Sequence, residues 1–197
     1  MRRRPSASAS PGAIQTETPD RHAPPEPVRL PFGGAPHTVR PLTLADTERL
    51  ISFFKSHNEE TVRLRYGYFF REMTRARARE LVGVDQRKDL ALAVFSVQPD
   101  GSEVIDAIGR YFLLEDGRTA EMAFVVRESK RRLGMAQALL QRLMDVAGRR
   151  GLTELTAQVQ RENHGMIALF RRAGASVHSV IGADAVDVRL PVRPTTS

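Results

Sequence analysis

Between Leu90 and Glu128 the chain carries three β-rich runs, "LALAVFSVQ", "EVIDAIGRYFLL" and "TAEMAFVVRE", separated by "PDG" (99–101) and "EDG" (115–117). Runs of branched and aromatic residues joined by short Asp-Gly turns fold as hairpins, so this segment predicts a three-stranded antiparallel meander. The period then changes. Leu133, Ala136, Leu140, Leu143, Met144 and Ala147 recur at helical spacing until "GRRG" (148–151). "LTELTAQVQ" reads as a strand, "NHGMIALFRRAG" as a helix with Gly174 just past its end, and "SVHSV" and "AVDVRL" as closing strands. A meander followed by alternating strands and helices predicts an α+β fold: an α/β sandwich with a mixed, mostly antiparallel central sheet flanked by helices.

Upstream, "VRLPFGGAPHTVRPL" reads as two short strands around a Gly-Gly turn. Thr43 or Asp46 is placed to cap a helix whose apolar face carries Leu50, Ile51, Phe53 and Phe54, and Thr74 to cap a second helix in "TRARARELVGV". Arg75, Arg77 and Arg79 are two apart, so a helix spreads them around its surface. Residues 1–27 hold six of the twelve prolines and little apolar bulk besides Ile14. Such a segment cannot bury enough surface to offset its ordering entropy, so a disordered tail is expected over 1–27 and the folded domain over 28–197.

Composition removes several classes of function. With no cysteine there is no thiolate nucleophile, disulfide or cysteine-zinc site, and the five scattered histidines form no ligand pair, so no metal is expected. No apolar run reaches the length of a membrane span, and a cytoplasmic protein is expected. The net charge of +7 attracts anions in general. Nucleic acid is disfavoured as the partner, because there is no tryptophan and no interleaving of basic and aromatic residues.

The densest positive charge falls at "SKRRLGMAQALL" (129–140), where the long helix begins. Helix starts ordinarily take acids, so basic residues there point to an anion from outside the chain. Unpaired N–H groups at a helix N-terminus bind pyrophosphate, Gly134 and Ala136 allow close approach, and Arg131 and Arg132 add charge-assisted hydrogen bonds. Neither GxxxxGK[ST] nor GxGxxG is present, which argues against ATP and NAD.

"RRLGMA" fits R/Q-x-x-G-x-G/A, and with "ENHGMIALFRRAGA" one strand later it resembles the two cofactor signatures of the GNAT N-acetyltransferases. "VRPLTLADTERLISFF", "LRYGYFF", "VDQRKDLALAV", "IGRYF" and "AEMAFVV" follow the order of one branch, the bacterial Pat-type protein lysine acetyltransferase domain, over about Val28 to Val192. The resemblance implies acetyl-CoA as co-substrate, with its pyrophosphate on Arg131, Arg132, Leu133, Gly134, Met135 and Ala136. It also implies that its amide arm lies along the main chain of Phe124, Val125 and Val126, with a further contact to Asn163. Asn163 also suits a helix cap.

Glu121 matches the acidic position of that branch. A lysine ammonium must lose a proton before its nitrogen can attack a thioester, and a carboxylate poised by burial suits that task. Many GNAT enzymes place a tyrosine seven residues after the asparagine to protonate the departing thiolate; Phe170 stands there, which leaves protonation to water. The implied acceptor is a protein lysine, for instance on an acyl-CoA synthetase, with Arg63, Arg65, Arg71 and Arg87 as candidates to meet acidic flanks. A small amine acceptor and a non-catalytic acyl-CoA sensor remain alternatives at this level.

Overall fold

The computed structural model describes residues 20–58, 61, 72–180 and 182–195. Among them are strands β1 (Val28–Phe32), β2 (Ala35–Pro41), β3 (Leu90–Val97), β4 (Glu103–Leu113), β5 (Thr119–Val126), β6 (Glu154–Gln160), β7 (Ser176–Ser179) and β8 (Ala185–Pro191). Four helices are described: α1 (Thr47–Lys55), α2 (Arg75–Val82), α3 (Met135–Arg149) and α4 (His164–Arg172). The strands form one sheet ordered β1-β2-β3-β4-β5-β6-β8-β7. The antiparallel run is longer than the three strands expected, because the Gly33–Gly34 hairpin joins it and β2 pairs with β3. β5 and β6 pair in parallel, and β6, β8 and β7 continue antiparallel.

Apolar cores lie on both faces of the sheet. Leu90 through Ser96 of β3 are all buried, as a strand covered on both sides requires. On one face Leu92, Val94, Met122 and Phe124 pack with Leu139, Leu143 and Phe170 of α3 and α4. On the other, Ala93, Phe95, Ile105, Ile108 and Val125 pack with Leu50 and Phe53 of α1 and Val82 of α2. Gly109 of β4 brings α3 close to the sheet: a Cβ there would lie 2.8 Å from the Phe124 ring and 3.1 Å from Leu139 Cβ.

The caps follow local chemistry. Thr74 Oγ1 accepts from the N–H of Arg77 at the start of α2. Before α1, Asp46 closes a single 3₁₀ turn (Leu44–Asp46), accepts from the N–H of Thr43, and takes two 2.8 Å hydrogen bonds from Arg40.

The buried face of α3 matches the one expected at Leu140, Leu143 and Ala147 and departs from it elsewhere. The helix starts at Met135, so Met135, Leu139, Leu143 and Val146 turn inward, while Ala136 and Met144 are only partly buried. Leu133 precedes the helix, is 36% exposed, and would meet a Cβ at Gly33 at 3.3 Å. Where the turn ends fixes the phase of the face, and the apolar pattern alone did not carry that.

Residues 20–26, assigned to the tail by composition, lie against the domain. Asp20 pairs with Arg87 at 2.7 Å, and the carbonyls of His22 and Glu26 accept from Arg150 and Arg142. Arg150 is buried and also donates to Asp89 O, Gln86 O and the Tyr111 hydroxyl, which ties this segment to the end of β4.

Candidate active site

A cleft of about 670 Å³ opens where β5 and β6 part. The parallel register runs from Thr119–Glu154 to Glu121–Thr156 and goes no further. Beyond it β5 stays paired with β4 up to Val126, while β6 turns its remaining residues to β8. The edge of β5 from Met122 to Val126 is therefore left facing the gap. Thr119 O accepts from Leu114, and Arg127 N–H donates to Asp106, so odd-numbered residues of β5 address β4. Alternation then turns the main-chain groups of Phe124 and Val126 into the gap and those of Val125 towards Ile108.

The turn from β5 into α3 forms the other wall. Arg132 (φ 61) and Gly134 (φ 88) both adopt left-handed backbone, and nothing within 4 Å would obstruct a Cβ at Gly134. Glycine suits this conformation; arginine bears a strain there. Gly134 serves as N-cap with no side-chain cap, and the first i→i−4 bond runs from Ala138 to Gly134. The N–H groups from Arg132 to Gln137 thus find no hydrogen-bond partner among the described residues. They lie at a helix start, where the dipole adds positive potential.

Lys130, Arg131, Arg132 and Arg172 line the cleft against a single acid, Glu162. Arg131 donates to Thr61 Oγ1 at 2.6 Å and stands 3.9 Å from Glu128. Burial pushes the Glu128 carboxyl up, but the Thr61 hydroxyl, the Asn58 N–H and nearby His57 outweigh it and hold the group below its ordinary value. Arg132 has no acidic partner among the described residues.

The structure gathers nine of the ten expected cofactor residues around this cleft: Phe124, Val125, Val126, Arg131, Arg132, Gly134, Met135, Ala136 and Asn163. Leu133 is not among its walls. Asn163 Oδ1 accepts from the N–H of Met166 and so also caps α4. Phe170 is buried and meets the Phe124 ring edge-on with centroids 5.9 Å apart. Of the four arginines expected to meet an acceptor, Arg87 pairs with Asp20, while Arg63, Arg65 and Arg71, like "LRYGYFF", lie outside the described residues.

Glu121 is exposed, where burial was expected. It stands at the last paired position of β5 before the gap and, with Ala123 and Val125, on the sheet face covered by α1 and α2. Sequence reasoning missed Lys130, Thr61, Ala168 and Arg172 as cleft residues. Gly165 and Ala168, three apart on α4, were a legible sign of a helix face kept clear for close approach. No group of three or more His, Asp or Glu able to hold a metal occurs among the described residues, and none of their helices is long and apolar enough to cross a membrane.

This arrangement, a splayed parallel pair beside a basic turn and an open helix start, coincides with a family match. The acetyltransferase (GNAT) domain model matches residues 37–176, and the chain belongs to that family, whose members are acetyltransferases using acetyl-CoA. Its fold is similar to the GNAT domain of S. lividans PAT, with a TM-score of 0.75, 24% identity, and 89% of this chain and 100% of that one covered. It is also similar to the cAMP-binding acyltransferase from Mycobacterium smegmatis, with a TM-score of 0.59 and 23% identity over 86% of this chain and 48% of that one. The Salmonella typhimurium protein yncA, solved with its cofactor acetyl-CoA, gives a TM-score of 0.58 and 18% identity over 82% and 96% of the two chains.

Proposed function

We propose that this acetyltransferase moves the acetyl group of acetyl-CoA to a lysine amine of a protein, with Glu121 as general base. The observation that carries the reading is the position of Glu121 at the edge of the gap, on the opposite face of the sheet from α3 and α4. Donor and acceptor can then approach from different sides and meet where β5 and β6 part. An exposed carboxylate also suits an amine that arrives on a large partner better than one enclosed with a small molecule.

The residues fit the donor. The free N–H groups of the 132–137 turn, with Arg131, Arg132 and Lys130, match a pyrophosphate, and the gap-facing main chain of Phe124 and Val126 matches the amides of the pantetheine arm as an added strand would. Bound acetyl-CoA supplies a thioester carbon open to attack by a neutral amine. Glu121 takes the proton from the lysine ammonium on a carboxylate oxygen, directly or through water, which frees the nitrogen lone pair. No hydroxyl stands at Phe170, so as the C–S bond breaks the leaving sulfur takes its proton from water, and the hydroxide left behind takes the second proton from the acylated nitrogen. Cytoplasmic residence accompanies this reading, since coenzyme A thioesters are made and used there.

The test is thiol release from acetyl-CoA with an acyl-CoA synthetase as acceptor and mapping of the acetylated lysine by mass spectrometry. Glu121→Gln is expected to lower kcat by about 10²- to 10³-fold while binding acetyl-CoA as wild type does. Turnover with small amines and none with protein would move the acceptor class and leave the donor site standing. Unaltered turnover in Glu121→Gln would remove Glu121 from the mechanism.

A further inference from the structure

The turn that carries Arg131 and Arg132 is tied to β4 through Asp106. The β3–β4 register slips by one residue: Val94 faces Ala107 but Phe95 faces Ile105, which leaves Asp106 as the extra residue of a β-bulge. Bulges re-aim side chains, and here the re-aimed one is a carboxylate 1% exposed. Asp106 O accepts from the Arg127 N–H at 2.9 Å, and Arg127 Nη2 donates to Ile105 O at 2.8 Å. Arg127 Nε lies 3.5 Å from Asp106 Oδ1, and Lys130 Nζ lies 4.0 Å from Oδ2. From β2, His37 Nε2 approaches the same Oδ2 at 3.4 Å, with its Nδ1 held 2.9 Å from Ala35 O.

Asp106 Oδ2, Arg127 Nε and His37 Nε2 make no hydrogen bond among the described residues. A buried carboxylate needs cations to offset its desolvation, and the two beside Asp106, Arg127 and Lys130, lead into the anion-binding turn. Lys130 is at once a neighbour of Asp106 and a wall of the cleft.

We propose that Asp106 is a positioning residue for the anion-binding turn: its carboxylate fixes Arg127 and Lys130 so that Lys130 and the N–H groups beyond it meet the donor's pyrophosphate in one geometry. The proposal rests on the cleft's being the acetyl-CoA site. It makes a prediction of definite sign. A bystander carboxylate under an anion site repels the anion, so its removal tightens binding; a positioning carboxylate, once removed, weakens it.

The test measures dissociation constants by calorimetry for acetyl-CoA and for S-acetylpantetheine, which has the thioester arm without the pyrophosphate. Asp106→Asn is expected to weaken acetyl-CoA on the order of tenfold and to leave S-acetylpantetheine unchanged. Lys130→Met is expected to do the same, with the double variant no worse than the weaker-binding single one, as coupled residues behave. Tighter or unchanged acetyl-CoA binding in Asp106→Asn overturns the proposal. So does an equal loss for both donors, which marks a general packing role. Should Asp106→Asn fail to fold, Lys130→Met decides alone, and unchanged acetyl-CoA affinity in it overturns the proposal. A wild type that binds both donors equally overturns the cofactor reading itself and this proposal with it.

Discussion

Arg132 shows how the site is built at the scale of one residue. Its left-handed backbone is a strain that a glycine would relieve, yet the residue is a long cation aimed at a cleft. Strain of this kind costs on the order of 1–3 kcal/mol and persists where the surroundings fix it. Arg132→Gly is therefore expected not to lower stability in urea unfolding, because relief of strain and the greater freedom of glycine in the unfolded chain offset each other to within about 1 kcal/mol. The same variant is expected to weaken acetyl-CoA on the order of tenfold through loss of a charge-assisted contact. A variant that loses stability and keeps affinity would show that the residue is structural. The basic turn itself was legible in the sequence, because three cations before a helix start contradict the dipole. The fate of each cation was not: Arg131 is shared with Thr61 and Glu128, while Arg132 meets no acid among the described residues, and only the fold sets that difference.

At the scale of elements, the site depends on two departures from a regular sheet, the parting of β5 from β6 and the bulge at Asp106. Turn chemistry located most strands, because Asp-Gly and Gly-Gly dipeptides punctuate apolar runs in a way that backbone sterics enforce. The parting was not legible, since the groups it frees are main-chain and every residue has them. The bulge left a trace in "EVIDAIG", where an acid stands between Ile105 and Ala107, both buried. The approach of α3 to the sheet yields another prediction. Gly109→Ala forces a methyl against the Phe124 ring and Leu139, and overpacking of this kind costs about 1–3 kcal/mol. Thermal unfolding is expected at a lower temperature, with acetyl-CoA binding weakened too because Phe124 borders the cleft; unchanged values of both would mean that α3 is free to move away.

For the whole molecule, three partly buried groups make stability fall as pH falls. Burial is the largest influence on His57 and holds its folded value below the ordinary 6.5. Glu128 lies below 4.5 for the reasons given above, and for Asp46 burial pushes up but the Arg40 hydrogen bonds and the Thr43 N–H outweigh it and hold the carboxyl below 3.8. In each case the unfolded chain takes up the proton more readily, so the stabilisation present above the unfolded value is lost as the pH falls through the folded one. Urea unfolding is expected to show constant stability near neutrality, a decline that begins below about pH 6.5 with His57, and a steeper one below about pH 4.5 as the carboxylates follow. A profile that rises on acidification would contradict these assignments. The positive charge of the chain is not spread evenly either: the cleft gathers four cations against one acid, which gives a general basicity a specific address.

We propose that the start of α3 and the free edge of β5 hold acetyl-CoA. Amide NMR spectra recorded during titration with acetyl-CoA test it most directly. The resonances of Arg132 through Gln137, Phe124 and Val126 are expected to shift together and saturate with one affinity, and S-acetylpantetheine to move Phe124 and Val126 but not the turn. Saturation by acetyl-CoA with the amides of 132–137 unmoved would contradict it.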